Sequence, residues 1–335
     1  MKGRAMDRRK VWPRFIRFVS AAMWILIVGT VLLLAFGHGR FPSWEQGEAT
    51  NQDTSHRPQR VLVTYPGATE LLIDLGEAHR IVGTVAPYGV EPPQYKRRYE
   101  ALPIIDAPYV PSREDVLALK PDMIIAWSHH FTPTYLGDES NWQRRGITTY
   151  VVPATIRKGQ PTVESTVFPF IDDMGRIFGI EAKAAAYKKS LVNRVNAVLV
   201  NAEKRKTMGR EPTVLILQAH GHSTYSLYGP IYVIDDIVKK AGGRNLVKHQ
   251  LSQVGPERVL GFDPDYIVYV YAGDTSGHVP TDEEMKASLM ADENLRHMRA
   301  VMNGHIIPVA FSDVNNGNGR TITALETINN GLSEY

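Results

Sequence analysis

The sequence predicts an α/β fold of two lobes, each with a mainly parallel sheet, joined by one long rigid helix. The first reason is a phrase that occurs twice, as SREDVLALKPDMIIAW at residues 112–127 and as GPERVLGFDPDYIVYV at residues 255–270. The second reason is a helical stretch without glycine or proline between the two copies. At an offset of 143 residues (257 − 114), the copies match without a gap, for example Glu114 with Glu257, Leu117 with Leu260, Pro121 with Pro264 and Asp122 with Asp265. The chain therefore contains two related halves.

Residues 60–165 are predicted to form the N-terminal lobe. RVLVTY is a short β-type run, and PGATELLIDLG after it is typical of a turn and a helix that ends at Gly76. The alternation continues through IVGTV, a polar helix near residues 94–100, LPIID, the helix of the duplicated phrase, MIIAW and ITTYVV. Nearly continuous apolar strands separated by helices indicate a parallel sheet covered on both faces.

Residues 166–210 are predicted to form a helical bridge, interrupted at Gly179, and residues 211–335 the C-terminal lobe. Residues 181–206 lack glycine and proline and would span about 39 Å as a helix, which is longer than a single lobe requires. Its apolar positions follow i, i+3, i+4 spacing: Ala184, Tyr187, Leu191, Val195, Val198 and Ala202. After the bridge a new strand, TVLILQA, opens the second lobe, and a strand, a loop and a helix close it.

The charge of the chain is concentrated at its N-terminus. Residues 1–17 hold seven Lys or Arg against one acid, so they contribute +6 to a net charge of +3 and the remainder sums to −3. The basic balance is therefore no argument for a nucleic-acid partner. The absence of cysteine excludes disulfides, thiolate metal sites and a lipid-modified cysteine anchor.

Residues 18–36, FVSAAMWILIVGTVLLLAF, form an apolar run long enough to cross a bilayer. The basic flank predicts a cytoplasmic N-terminus and an exported remainder, with residues 37–59 as a polar tether. We expect an uncleaved transmembrane anchor at the extracytoplasmic face of the cell membrane. The alternative is a cleaved signal segment, because Ala35 to Gly37 make an acceptable small-x-small site.

Several segments, taken in order, resemble the helical-backbone class of periplasmic substrate-binding proteins, which serve ABC importers of siderophores, haem and cobalamin. The resemblance covers about residues 60–332 and is carried by RVLVTYPGATELLIDLG, RIVGTV, REDVLALKPDMIIAW, the long helix, YSLYGPIYVIDDIVKKAGGRN, VGPERVLGFDPDYIVYV and RAVMNGHIIPVAFSD. It implies that each lobe is formed by one continuous part of the chain, that the bridge limits hinge motion, and that ligand binds in the cleft between lobes.

The resemblance also gives the duplicated phrase a role. In that class, the glutamate of each copy docks into an arginine-lined pocket of one subunit of the permease dimer, and Glu114 and Glu257 match those positions. A bidentate pair of glutamate and arginine supplies direction as well as attraction. The alternative is that both glutamates are only early helix residues favoured by the macrodipole, which contributes about 0.3–1 kcal/mol.

Candidate ligand-binding residues follow the strands, because ligands of α/β sheets bind beyond the carboxyl ends of strands. MIIAW is followed by SHHFTPTY, and TVLILQA is followed by HGHSTYSLY. The predicted set comprises Tyr88, Tyr109, Trp127, His129, His130, His220, His222, Tyr225, Tyr228 and Asp313.

Four of these residues, His129, His130, His220 and His222, are candidate metal ligands. Neutral imidazole can bind a metal ion directly or an iron held in a chelate or porphyrin. Solvated or capping histidines are the simpler alternative, and Tyr88 or Tyr225 could be the ligand instead. Because Arg320 is the only obvious arginine at these strand ends, the sequence favours haem, cobalamin or a low-charge iron chelate over a strongly anionic siderophore.

Two other functions remain open at the level of sequence. A membrane-tethered receptor or sensor would use the same binding lobes with a different partner. An exported metal-dependent hydrolase could draw zinc ligands from the four histidines and Asp313. The sequence has no His-Glu-x-x-His motif, nucleophile elbow or phosphate-binding glycine loop, so we expect no catalysis and no catalytic cofactor.

Overall fold

The structure is a computed structural model that describes residues 57–87, 93–107, 109–156, 159–221, 223–272, 278 and 280–334. The predicted basic flank, the apolar run and most of the tether lie outside these residues. Within them, no helix combines the length and the apolar character that crossing a membrane requires.

The first sheet contains four parallel strands in the order β2-β1-β3-β4. Every residue of β1 and β3 is buried, as expected for strands covered on both faces. The strands are β1 (Val61–Val63), β2 (Ile81–Thr84), β3 (Met123–Ala126) and β4 (Thr148–Val151). The helices around them are α1 (Pro66–Asp74), α2 (Pro93–Glu100), α3 (Arg113–Leu119) and α4 (Glu139–Gln143).

Two consecutive helices, α5 (Val163–Phe178) and α6 (Glu181–Thr207), connect the sheets. Thr162 and Ser165 form a capping box at the start of α5, and Gly179 ends it with a φ of 66°, a left-handed conformation that favours glycine. The 27-residue α6 is the predicted long helix. Its predicted apolar stripe is buried, except for Tyr187, which is half-buried.

The second sheet is mixed, with the order β10-β9-β5-β6-β8 and β7 paired to β5. β10, β9 and β5 run parallel to one another. β6 runs antiparallel to β5, and β8 runs antiparallel to β6. The loop between β5 and β6 is too short for the crossover that a parallel strand needs. The strands are β5 (Thr213–Ala219), β6 (Tyr225–Leu227), β7 (Arg244–Asn245), β8 (Leu251–Val254), β9 (Tyr266–Tyr271) and β10 (Ile306–Ala310). The helices are α7 (Val233–Lys240), α8 (Pro256–Leu260), α9 (Asp282–Met290), α10 (Arg299–Met302), α11 (Phe311–Asn315) and α12 (Gly319–Gly331).

The main hydrophobic core is continuous from one sheet to the other. It joins buried residues of β1 and β3 to those of α5 and α6 and then to β5, β9 and α12. Two smaller clusters fill the outer sides of the sheets. The helices α5 and α6 therefore act as a shared packing layer and not only as a connection.

A buried polar network also joins the two lobes. Glu70 on α1 accepts hydrogen bonds from Asn316 (2.8 Å) and Asn318 (2.7 Å) and pairs with Arg320 at 2.8 Å. The backbone approach is so close that a Cβ atom at Gly67 would lie 2.0 Å from the carbonyl oxygen of Asn316. The start of α1 is thus fixed against the segment before α12.

The duplicated phrase forms the same unit twice, α3 with β3 and α8 with β9. Asp122 accepts hydrogen bonds from the backbone amides of Gln59 (2.7 Å) and Arg60 (3.0 Å), next to β1. Asp265 accepts one from the amide of Thr213 (2.8 Å), at the start of β5. Each aspartate therefore ties the turn after its helix to the neighbouring strand.

Candidate ligand-binding site

The carboxyl end of β3 leads into Trp127 and a 3-10 turn, Ser128–His130. Ser128 fixes this turn: its backbone amide donates to the Thr155 hydroxyl (3.1 Å) and its own hydroxyl donates to the Thr155 carbonyl (2.8 Å). Since Thr155 follows β4, the turn is held between the ends of two parallel strands. Trp127, His129 and His130 are thereby placed at the edge where ligands of such sheets bind.

His130 is fully buried, and its Nδ1 lies 2.9 Å from the hydroxyl oxygen of Thr64 at the end of β1. Burial, with a smaller effect of the neighbouring His129, lowers the pKa of His130 to about 3. The imidazole is therefore neutral at physiological pH. Its Nε2 is buried and makes no hydrogen bond in the structure.

Aromatic rings surround the neighbouring histidine, His129. Tyr109 stacks on His129 with ring centroids 5.7 Å apart, and the Tyr109 hydroxyl lies 2.5 Å from Nε2 of His129. Trp127 meets His129 edge to face at 4.8 Å, and Tyr135 meets it at 6.0 Å. Burial raises the pKa of Tyr109, so its phenol remains neutral. We call these five rings, Tyr109, Trp127, His129, His130 and Tyr135, the aromatic cluster.

The second lobe contributes a facing wall at the carboxyl end of β5. His220 is exposed there; its backbone amide donates to the Thr224 carbonyl (2.8 Å), and its Nε2 lies 2.8 Å from the hydroxyl of Ser226. A cavity of about 200 Å³ lies between His220 and Trp127, so it draws on both lobes. Its other lining residues include Gln218, Ser226, Tyr228, Tyr232, Gln250, Ser252, Phe311 and Asn315.

The described lining of the cleft is largely aromatic. An adjoining cavity shares Trp127, Tyr228, Tyr232, Phe311 and Asn315 with the first, so the two form one cleft. Tyr228 and Tyr232 meet edge to face, with ring centroids 5.0 Å apart. Among the described residues that line the two cavities there is neither lysine nor arginine. The polar groups of the lining are amides, hydroxyls and one imidazole.

Two residues predicted to bind ligand, Tyr225 and Asp313, form hydrogen bonds with other parts of the second lobe. Tyr225 is fully buried in β6, and its hydroxyl donates to Asp292 at 2.6 Å; burial first, and this bond second, raise its pKa. Asp313 on α11 accepts a hydrogen bond from Arg320 at 2.5 Å. Burial raises the pKa of Asp313, an effect that Arg320 opposes. Arg320 is itself buried between Asp313 and Glu70, so neither it nor Asp313 lines the cleft.

The predicted residues thus separate into four groups, one of which is Tyr225 and Asp313 with the contacts just described. Trp127, His220 and Tyr228 line the cleft. Tyr109, His129 and His130 belong to the adjoining aromatic cluster, which also contains Trp127. Tyr88 and His222 lie outside the described residues.

The sequence prediction missed several cleft residues. Phe311 and Asn315 follow β10, where only Asp313 was selected by the strand-end rule. Tyr232 lies directly before α7 and not at the end of a predicted strand, so the strand-end rule does not select it. Gln218 is a polar residue inside the apolar strand TVLILQA, and its position next to the strand end was the available signal.

The described histidines and carboxylates do not converge on a metal centre. Among the described residues, no group of three histidine, aspartate or glutamate side chains is close enough to hold a metal ion. A chelated metal has different requirements, because the chelate fills most coordination positions and one or two protein ligands are enough. The exposed His220 has the chemistry of such a ligand, whereas His130 is neutral but fully buried.

Comparisons with known proteins agree with this architecture. No curated protein matches the chain. A periplasmic binding protein from Veillonella parvula has a TM-score of 0.69 at 22% identity over 82% of this chain and 84% of that one. A periplasmic haem-binding protein from Pseudomonas aeruginosa has a TM-score of 0.65 at 21% identity over 81% and 91%. An ABC-type Fe3+-hydroxamate transport system from Saccharomonospora viridis has a TM-score of 0.63 at 22% identity over 82% and 93%.

These structures show that the fold is shared, and the predicted fold class is confirmed. The sequence also matches the family described as periplasmic binding protein over residues 61–310, from the first residue of β1 to the last of β10. Because this match covers well over half of the chain, the protein belongs to the periplasmic binding protein family, whose members bind solutes outside the cytoplasm.

Proposed function

We propose that the protein captures an iron chelate, haem or a corrinoid such as cobalamin and delivers it to an ABC permease dimer. The observation that carries this proposal is the composition of the cleft: aromatic rings from both lobes, an exposed histidine and an adjoining neutral histidine, without a lysine or arginine among the described lining residues. Similarity to a haem-binding protein and to an Fe3+-hydroxamate transport system supports the same ligand class.

The imidazoles suit this ligand class. A pKa of about 3 keeps the His130 imidazole neutral at physiological pH, and the hydrogen bond with Tyr109 orients the ring of His129. His220 is exposed at the opposite wall. The large rings of Trp127 and Tyr228 provide flat apolar surface for a macrocycle or for the apolar parts of a chelate.

Among the described residues that line the cleft there is no lysine or arginine, which favours ligands of low charge. A strongly anionic siderophore buried in this cleft would lose its hydration without gaining a cation, which is unfavourable. Arg320 does not offer one, because Glu70 and Asp313 already contact its guanidinium. The propionates of a haem could remain at the mouth of the cleft, in contact with water.

Delivery is proposed to use the two copies of the duplicated phrase. Glu114 and Glu257 are exposed near the starts of α3 and α8, one in each lobe, and Val116 and Val259 pack the helices against their sheets. Two similar acidic surfaces on one chain match a partner with two equivalent subunits. Residues 18–36 are proposed to anchor the protein at the extracytoplasmic face of the membrane.

A binding experiment tests the ligand class. The full chain, purified in detergent, is mixed with haem, cyanocobalamin and a ferric hydroxamate, and absorbance spectra, titration calorimetry and native mass spectrometry are recorded. We expect a dissociation constant of about 1 µM or less for one of them, which corresponds to about −8 kcal/mol. The bound compound should keep its mass, because the protein is expected to bind without turnover. Failure to bind any of the three would contradict the proposal.

A further inference from the structure

Two exposed leucines occupy equal positions in the duplicated phrase. The side chain of Leu117 on α3 is 41% exposed and that of Leu260 on α8 is 48% exposed. Each lies three residues after the proposed docking glutamate, so the glutamate and the leucine share one face of a helix. Neither leucine belongs to a hydrophobic core cluster of the described residues.

The match is selective among the outward positions of the two helices. The other equivalent residues differ: Arg113 with Pro256, Asp115 with Arg258, and Ala118 with Gly261. The buried valines, Val116 and Val259, are explained by packing. Packing does not explain the leucines, because both are exposed. Single exposed leucines are common on protein surfaces, but an identical pair beside the matching glutamates, on helices whose other outward positions differ, is consistent with a shared contact.

The surroundings of the leucines also differ. Leu117 borders a cavity of about 240 Å³ that is lined by Arg113, Arg144 and Arg145. Near Leu260, by contrast, Asp263 pairs with Arg299. The feature common to both surfaces is therefore a carboxylate with an apolar side chain beside it.

We infer that Leu117 and Leu260 each contact an apolar patch on one of the two equivalent permease subunits, next to the basic group that receives the glutamate. This inference rests on the proposed docking role of Glu114 and Glu257. An apolar contact beside a charge pair excludes water from it and strengthens the pairing. The two-fold partner accounts for the repetition, because equivalent subunits present the same patch twice.

The experiment measures the affinity of the full chain for its permease, both in detergent, by thermophoresis. The variants are Leu117→Ser, Leu260→Ser, the double leucine variant, and Glu114→Ala with Glu257→Ala. We expect each leucine substitution to raise the dissociation constant for the permease about five- to tenfold, and the double substitution more. Ligand affinity should not change, because neither leucine lines the cleft, and thermal unfolding of each variant checks that the fold is kept.

Leu199→Ser is the matched control, since Leu199 on α6 is 40% exposed and lies outside the duplicated phrase. Its affinity for the permease should equal that of the wild type. If the glutamate variant weakens docking and the leucine variants do not, this inference is overturned and the docking role remains. If neither weakens docking, the docking role itself is wrong. A loss in Leu199→Ser equal to that of the leucine variants would indicate nonspecific apolar adhesion and would also overturn the inference.

Discussion

Replacement of Arg320 by alanine perturbs the ion pair that crosses between the lobes. The Arg320 guanidinium is 6% exposed and lies 2.8 Å from Glu70 on α1, whose side chain is fully buried. The Arg320→Ala variant leaves this carboxylate in the interior without its cation. Glu70 keeps the amide donors of Asn316 and Asn318.

The expected loss of stability follows from that geometry. Removing one partner of a buried ion pair costs about 3–5 kcal/mol, because the other charge stays in surroundings of low polarity. Glu70 keeps two amide donors, but Asp313 and the Ser312 hydroxyl also lose their contacts with Arg320, so the expectation stays at about 3–5 kcal/mol. Since the free energy of unfolding of a native protein is about 5–15 kcal/mol, this is a large fraction of the total.

Urea unfolding followed by circular dichroism measures the loss as a lower transition midpoint with an unchanged slope. Arg194→Ala is the matched control, because the pair of Arg194 with Glu326 has a similar length, 2.6 Å, but side chains that are 37% and 34% exposed. An exposed pair contributes about 0–1 kcal/mol. If Arg320→Ala costs no more than this control, the Glu70 carboxylate is hydrated in solution and the reasoning is refuted.

Three further predictions concern the site and its partner. In the ligand-free protein, His130 contributes stability that is complete above its unfolded pKa of about 6.5 and is lost as pH falls toward the folded value of about 3, by up to about 1.4 kcal/mol per pH unit. His130→Gln should remove this contribution, so urea midpoints of the two proteins should converge between pH 7 and 4; parallel curves would contradict it. His129→Ala and His220→Ala should each weaken ligand binding about tenfold or more in calorimetry without changing the fold, and wild-type affinity in both would make these imidazoles bystanders. Glu114→Ala and Glu257→Ala should leave ligand affinity unchanged but lower uptake in proteoliposomes by more than tenfold, whereas full uptake with both replaced would leave the phrase with a folding role only.

Local patterns were enough to predict most of the fold. The helix α6 follows from an apolar stripe without glycine or proline, and the buried strands β1 and β3 follow from continuous apolar runs. The hairpin of β5 and β6 was not predicted, because YSL is a three-residue strand without a long apolar run. A strand this short depends on its partner strands for stability, so its own three residues do not show a strand pattern.

The same hairpin explains the outcome for the predicted site. Successive residues of a strand face opposite sides, so Tyr225 and Leu227 enter the core while Ser226 meets His220. A loop interpretation of this segment could not separate the two tyrosines, Tyr225 and Tyr228. The sequence likewise does not show that the Asp313 carboxylate contacts Arg320, an arginine seven residues further along the chain.

The contacts between the lobes determine how the cleft can admit a chelate. The larger cavity is about 200 Å³, whereas pockets for drug-sized ligands are about 300–1,000 Å³, so binding requires the cleft to widen. Separation of the lobes would break the buried pair of Glu70 and Arg320 and would open a core that runs unbroken through α5 and α6. His220, by contrast, is an exposed residue of the cleft lining, and exposed side chains change rotamers rapidly. Rearrangement of such side chains, with the lobes held in place, is therefore the less costly way for this cleft to open.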